Sequence, residues 1–234
     1  MNFDAIFYPK SIAVIGASSR EKTVGNDVVK NLVRQGYTGK IYPINPKIEE
    51  LYGLKVYGTI EQIEDTVELL VLAIPAKFVA EEIKKASKKG AKAAIVISAG
   101  FKEAGNLDLE KELAHVCNSL NITLVGPNCL GAINAEIQMN ASFASVMPPI
   151  GDVAFMSQSG ALCTAVLDYA KDLGIGFSKF ISIGNKAALN ELDLIKYLHA
   201  DKKTKVICMY AESLDNAPEF IKVLRRLNRG KNPK

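Results

Sequence analysis

The chain has 234 residues, 48% hydrophobic and 23% charged, with 29 basic against 25 acidic side chains and a formal net charge of +4. That length suits two domains of ordinary size, each with its own core. No basic run is interleaved with aromatics and no apolar run approaches the ~20 residues of a membrane helix, which excludes a nucleic-acid surface and a membrane span.

Short β-branched runs alternate with stretches of helical periodicity. Strands are predicted at Ser11–Ile15, Lys40–Pro43, Leu69–Ile74, Ala93–Ser98 and Thr123–Val125, with helices at Asn26–Gln35, Val79–Lys89 and Asp108–Leu120 between them. Near-continuous apolar strands separated by amphipathic helices indicate a parallel sheet covered on both faces, a doubly wound Rossmann-like α/β domain over residues 1–131. Residues 132–150 hold Met147-Pro-Pro149 and no helix signature, and are read as an irregular connection or hairpin. A second open α/β unit follows over 151–234. Its strands are Val153–Met156, Ser178–Ser182 and Val206–Tyr210, and its helices Ala161–Leu173, Glu191–His199 and Ala217–Leu227. Three strands make a small sheet, and Arg229-Gly-Lys-Asn-Pro-Lys234 reads as a helix stop ahead of a new strand, so the second domain is expected to be incomplete.

The N-terminus Met1-Asn-Phe-Asp4 has no basic region ahead of an apolar core, so no signal peptide is read there. Cys117, Cys129, Cys163 and Cys208 have neither paired nor metal-type spacing, and no metal site is expected. Reduced thiols in a cytoplasmic protein are the economical expectation.

Ser157-Gln-Ser-Gly-Ala161 lies between a strand and a helix, where unpaired N–H groups and the helix dipole form a receptor for an anion such as phosphate. An ordinary serine-capped turn is the competing reading. Strand Ser11–Ile15 runs into Gly16-Ala-Ser-Ser19, the Rossmann phosphate position, without the GxGxxG fingerprint: the next glycine is Gly25. The second strand ends in Tyr42-Pro-Ile-Asn-Pro-Lys47, with a lysine where NAD-binding domains carry a carboxylate. Lys47 suits the 3′-phosphate of coenzyme A; NADP and a merely solvated lysine are the alternatives. Ile74-Pro75-Ala76 and Ile97-Ser98-Ala99 are small strand ends that admit a pantetheine arm. Asn128, on the Gly126–Gly131 turn, could orient a carbonyl or thiol, while Cys129 fits either a functional or a space-filling part.

These segments, with Val96-Ile-Ser-Ala-Gly-Phe101, Gly126-Pro-Asn-Cys-Leu-Gly131 and Gly184-Asn-Lys186, stand in a set order. Together they resemble the alpha subunit, or alpha part, of ADP-forming acetyl- and acyl-CoA synthetases, relatives of the succinyl-CoA synthetase alpha subunit. The resemblance implies a CoA-binding Rossmann-like domain followed by a flavodoxin-like domain. It implies interconversion of acyl-CoA, ADP and phosphate with acid, CoA and ATP through an acyl phosphate and a phosphohistidine. An ATP-grasp beta subunit or fused domain would hold ATP/ADP and Mg²⁺, in a hetero- or homo-oligomer, and the substrate would be a small carboxylic acid such as acetate. Carried over by position, Gly16, Ala17, Ser18, Ser19, Lys47, Ile97, Ser98 and Ala99 match CoA contacts. Ser157, Gln158, Ser159, Gly160 and Ala161 match the phosphate site, and Glu212 matches the glutamate that orients the phosphohistidine.

Neither His115 nor His199 fits that histidine, which in the family follows a further strand, so the sequence is expected to stop before the catalytic loop and to be inactive alone. The family commonly has an aspartate where this chain has Ala188, which leaves any polar contact there in question. A non-catalytic CoA-binding module is the alternative, with an NAD(P)-dependent oxidoreductase a more distant third.

Overall fold

The computed structural model describes residues 1–228, so the helix-stop segment 229–234 lies outside the described residues. In chain order the first half comprises α1 (Asp4–Phe7), β1 (Ser11–Ile15), α2 (Val24–Arg34), β2 (Lys40–Ile44), β3 (Glu50–Leu51), β4 (Leu54–Lys55), β5 (Leu69–Leu72), α3 (Ala76–Ser87), β6 (Ala93–Val96), α4 (Leu107–Ser119) and β7 (Thr123–Val125). Five strands form a parallel sheet in the order β2-β1-β5-β6-β7, while β3 and β4 pair as a separate small hairpin. The strand order reverses beside β1, so the carboxyl ends of β1 and β5 open the crevice where such sheets bind ligands. Alternate residues of the buried strands feed two different cores: Ile12, Val14, Leu69 and Val71 face one, Ala13, Ile15, Leu70 and Leu72 the other. Helices therefore cover both faces, as near-continuous apolar strands require.

The second half comprises β8 (Gly131–Asn134), β9 (Met139–Ser142), β10 (Ile150–Ser157), α5 (Gly160–Leu173), β11 (Phe177–Ser182), α6 (Glu191–Ala200), β12 (Val206–Tyr210) and α7 (Ala217–Asn228). Here the structure corrects the expected three-stranded sheet. The segment read as an irregular connection or hairpin is a hairpin, β8–β9, and it joins the sheet, which has five strands in the order β12-β10-β11-β8-β9. The hairpin is buried along both strands. Its polar groups find partners in the first half: Asn134 donates to the Phe7 carbonyl at 2.8 Å, and Asn31 of α2 donates to the Ser142 and Ala144 carbonyls at 2.8 Å each. The hairpin thus belongs to the second sheet by hydrogen bonding and to the first half by packing. One core runs across the two halves, from Ile12 and Val14 to Ala154, Met156 and Ile181. A separate aromatic cluster of Phe155, Phe177 and Phe180 lies under α5.

Candidate functional site

A cavity of about 900 Å³ lies between the two halves, bounded by the carboxyl ends of β5 and β6 on one side and the N-terminus of α5 on the other. Of the residues singled out from sequence, Pro75, Ile97, Ser98, Ala99, Asn128, Gln158, Ser159, Gly160, Ala161 and Glu212 line it. Gly16, Ala17, Ser18, Ser19, Lys47 and Ser157 do not, and each is accounted for below.

Gly16 turns the chain out of β1 at φ +93, where a side chain would meet the Ala73 carbonyl oxygen. A Cβ on Gly25, in the first turn of α2, would in turn fall on the Gly16 carbonyl. Two glycines in direct contact let α2 start tight against the end of β1, the packing that the third glycine of a dinucleotide fingerprint provides. The spacing differs from that fingerprint, so pattern matching misses Gly25, and the contact reveals it. Ala17 is buried, Ser18 accepts the Arg20 N–H at 3.1 Å, and Ser19 is exposed. Asn45 stitches this loop to the end of β2: its amide donates to the Ala17 carbonyl at 2.6 Å and accepts the Lys47 N–H at 2.8 Å. The Lys47 backbone is thereby linked to the Gly16–Ser19 turn through Asn45, and its side chain is exposed.

The Gly126–Gly131 turn forms the floor. Asn128 has a left-handed backbone at φ +56; its N–H donates to the Ser98 carbonyl at 3.0 Å and its amide reaches Asn185 at 3.3 Å. Cys129 is buried with its thiol on the Val96 carbonyl at 3.3 Å, and burial pushes it up to about 12, so it fills space rather than supplying a nucleophile. Asn185 donates to Glu103 at 2.6 Å and to Glu110 at 2.8 Å, tying the loop after β11 to the first half. Ala188 packs against the core of the first half and makes no polar contact.

At the start of α5 the serines act as internal partners. Ser157 is fully buried and its hydroxyl accepts the Ser159 N–H at 3.0 Å. Ser159 caps the helix through the Leu162 N–H at 3.3 Å. Among the described residues the Gly160 and Ala161 N–H groups have no partner, and both residues line the cavity. Two amides at the positive end of a 14-residue helix form a receptor for one anionic group. The Gln158 side chain contributes nothing to that receptor, since all its hydrogen-bonding capacity goes to the loop after β12 and to Glu191.

Glu212 lines the same cavity as this helix start, exposed and without a hydrogen-bond or ion-pair partner for its carboxylate among the described residues. Nearby, Lys186 binds Glu191 at 2.7 Å, Asp215 at 2.9 Å and the Ser213 carbonyl at 3.0 Å. Its burial lowers the affinity of the amine for a proton, but the two carboxylates outweigh this and the amine titrates above the ordinary lysine range. Neither histidine reaches the cavity: His115 is exposed on α4 and His199 sits in the last turn of α6. All four cysteines are free. Among the described residues no helix is long and apolar enough to cross a membrane.

Residues 10–135 match the CoA binding domain family, and residues 150–233 match the succinyl-CoA ligase like flavodoxin domain. The chain is 46% identical over 226 residues to the acetate–CoA ligase [ADP-forming] of Methanocaldococcus jannaschii, covering 97% of this chain and 32% of that protein. It is 39% identical to the alpha subunit of acetate–CoA ligase [ADP-forming] II of Pyrococcus furiosus, covering 97% and 50%. Among solved structures, the dinucleotide forming acetyl-coenzyme A synthetase 1 of Ca. Korarchaeum cryptofilum, in complex with phosphate and ADP, superposes with a TM-score of 0.92 at 39% identity, covering 97% of this chain and 49% of that one. The chain thus spans a third to a half of the length of these relatives.

Proposed function

The chain belongs to the CoA binding domain family, and from that premise we propose that it is the CoA-binding alpha portion of an ADP-forming acyl-CoA ligase, with acetate the favoured acid. The reaction would interconvert acyl-CoA, ADP and phosphate with acid, CoA and ATP. One observation carries this reading: a single cavity joins the ligand crevice of the first sheet to two free helix-start amides and an unpartnered carboxylate.

In this reading CoA enters along Pro75 and Ile97–Ala99, its phosphates held near the Gly16–Ser19 turn and Lys47. The Gly16–Gly25 contact supports that fit, because it lets α2 start tight against the end of β1, as the phosphate-binding turns of such sheets require. Asn128 orients the reacting end. The Gly160 and Ala161 amides take the phosphoryl or acyl-phosphate oxygens as charge develops. Glu212 accepts a hydrogen bond from an imidazole ring, which fixes its tautomer and makes the other nitrogen the nucleophile. ATP and Mg²⁺ belong to an ATP-grasp partner subunit or fused domain, in keeping with the fused and the alpha-subunit forms of the relatives. The four free cysteines agree with a cytoplasmic setting.

Titration calorimetry tests the CoA part. CoA binds the folded chain, and Lys47→Glu weakens it about fivefold to tenfold, the effect of reversing one exposed phosphate partner. A folded sample that binds no CoA overturns the reading. Supplying the ATP-binding partner tests the rest: acyl-CoA formation from acetate, CoA and ATP supports the ligase, and CoA binding without it favours a non-catalytic CoA-binding module.

A further inference from the structure

We propose that Gln158 is a positioning residue that fixes Glu212 in the cavity lined by the start of α5, an inference that rests on the ligase reading of this cavity. The β10–β12 ladder ends at the Ser157–Tyr210 pair, and the Gln158 N–H adds one last bond to the Tyr210 carbonyl at 3.1 Å. Beyond that point the chain after β12 has no strand partner among the described residues. The Gln158 side chain substitutes for one. Its Oε1 accepts the Glu212 N–H at 2.9 Å and the Ser213 N–H at 3.1 Å, and its Nε2 donates to the Ser213 carbonyl at 2.8 Å.

An amide is required for this, since both an acceptor and a donor are in use on the same turn. The remaining Nε2 hydrogen goes to the Glu191 carboxylate, which requires the donor end of the amide on that side. Glu191 is 3% exposed and is held in turn by Lys186. Lys186 also donates to the Ser213 carbonyl, so that one carbonyl is gripped from two sides. The Glu212 side chain itself takes no part in the clamp, so its carboxylate is left for the cavity while its backbone is fixed. Preorganising a reacting group through neighbours whose own bonds are satisfied is how a site keeps its geometry.

Gln158→Glu keeps the shape of the side chain, removes the donor to Ser213 and sets a second carboxylate against Glu191. Adding Glu191→Gln restores a donor–acceptor pair between the two positions with the roles exchanged. In a steady-state assay with the ATP-binding partner, Gln158→Glu is expected to lower kcat about a hundredfold, as misplacing a reacting group does, while the KM for CoA stays within about twofold because no CoA contact changes. The double variant recovers a large part of the lost kcat. Wild-type kcat in Gln158→Glu, or a loss carried by KM alone, overturns the proposal. Should Gln158→Glu fail to bind CoA, Gln158→Met, which removes the amide without adding charge, takes its place. Hydrogen exchange reads the clamp without catalysis: the Glu212 and Ser213 amides exchange faster in the variant, and unchanged exchange overturns the proposal. A wild-type assembly that forms no acyl-CoA overturns the ligase reading instead, so the two failures are distinguishable.

Discussion

Asn185 donates to the Glu110 carboxylate at 2.8 Å, so a loop of the second sheet supplies the partner of a buried acid on a helix of the first half. Lys102 is the other partner of that carboxylate, through its ammonium at 3.4 Å and its backbone N–H, which donates at 3.4 Å. Replacing Asn185 by leucine leaves Glu110 short of a donor in a site that water reaches poorly. The expected cost is about 1–3 kcal/mol, read as a lower urea midpoint with an unchanged slope. An unchanged midpoint would mean that Lys102 alone satisfies the acid.

Gly25→Ala tests the contact beneath the first turn. Alanine is the better helix former, yet its Cβ would fall on the Gly16 carbonyl. Stability is therefore expected to drop by about 2 kcal/mol or more, since backbone has to move to admit the methyl, and CoA affinity drops with it. A thermal melt that rises in the variant would show that the turn is not tight.

Gly160→Ala is expected to do the reverse. No steric reason in the protein calls for glycine there: its φ is not left-handed, and a Cβ would meet only Leu130, at 3.9 Å or more. The melting temperature should hold or rise slightly, by about 1 kcal/mol of stability at most. Turnover should fall, because the methyl would stand over the two free amides. A fully active variant would show that no ligand approaches so closely.

Thiol chemistry separates Cys208 from the other cysteines. Burial pushes the Cys117, Cys129 and Cys163 thiols up to about 12, so the reactive thiolate is scarce in the folded chain until strongly alkaline pH. Cys208 is exposed on β12. Iodoacetamide at pH 8 should add one label per folded chain, on Cys208, and four after denaturation. Rapid labelling of Cys129 in the folded protein would contradict its burial.

Most strands and helices were legible because βα alternation is a local signal. Apolar runs mark β1, β5 and β6, and the helices between them end within a few residues of their predicted limits. The hairpin β8–β9 was not legible as part of a sheet. Its strands are buried on both faces yet carry Asn134, Asn140 and Ser142, so neither alternation nor an apolar run appears. The partners that make those polar residues acceptable include the Phe7 carbonyl on α1, and Asn31 on α2, over a hundred positions away.

At the site, the Ser157–Ala161 turn was visible as a helix start, but the division of labour within it was not. Ser157 and Ser159 serve the turn itself, Gln158 serves the loop of Glu212, and only Gly160 and Ala161 offer free amides. Gly25, Asn45 and Asn185 stand in or beside segments singled out from the sequence, but the part each plays was not legible there, for the same reason as the hairpin. Each acts through contacts with another segment of the chain, which its own neighbourhood in sequence does not reveal.

The core shared by Ile12 and Val14 with Met156 and Ile181 also bears on how the molecule comes apart. Two sheets that bury common side chains cannot lose one sheet without exposing the apolar surface of the other. Heating should therefore give one cooperative transition rather than two. CoA, bound against the first sheet, should raise the melting point seen at Phe155 and Phe180 in the second as much as that of its own surroundings.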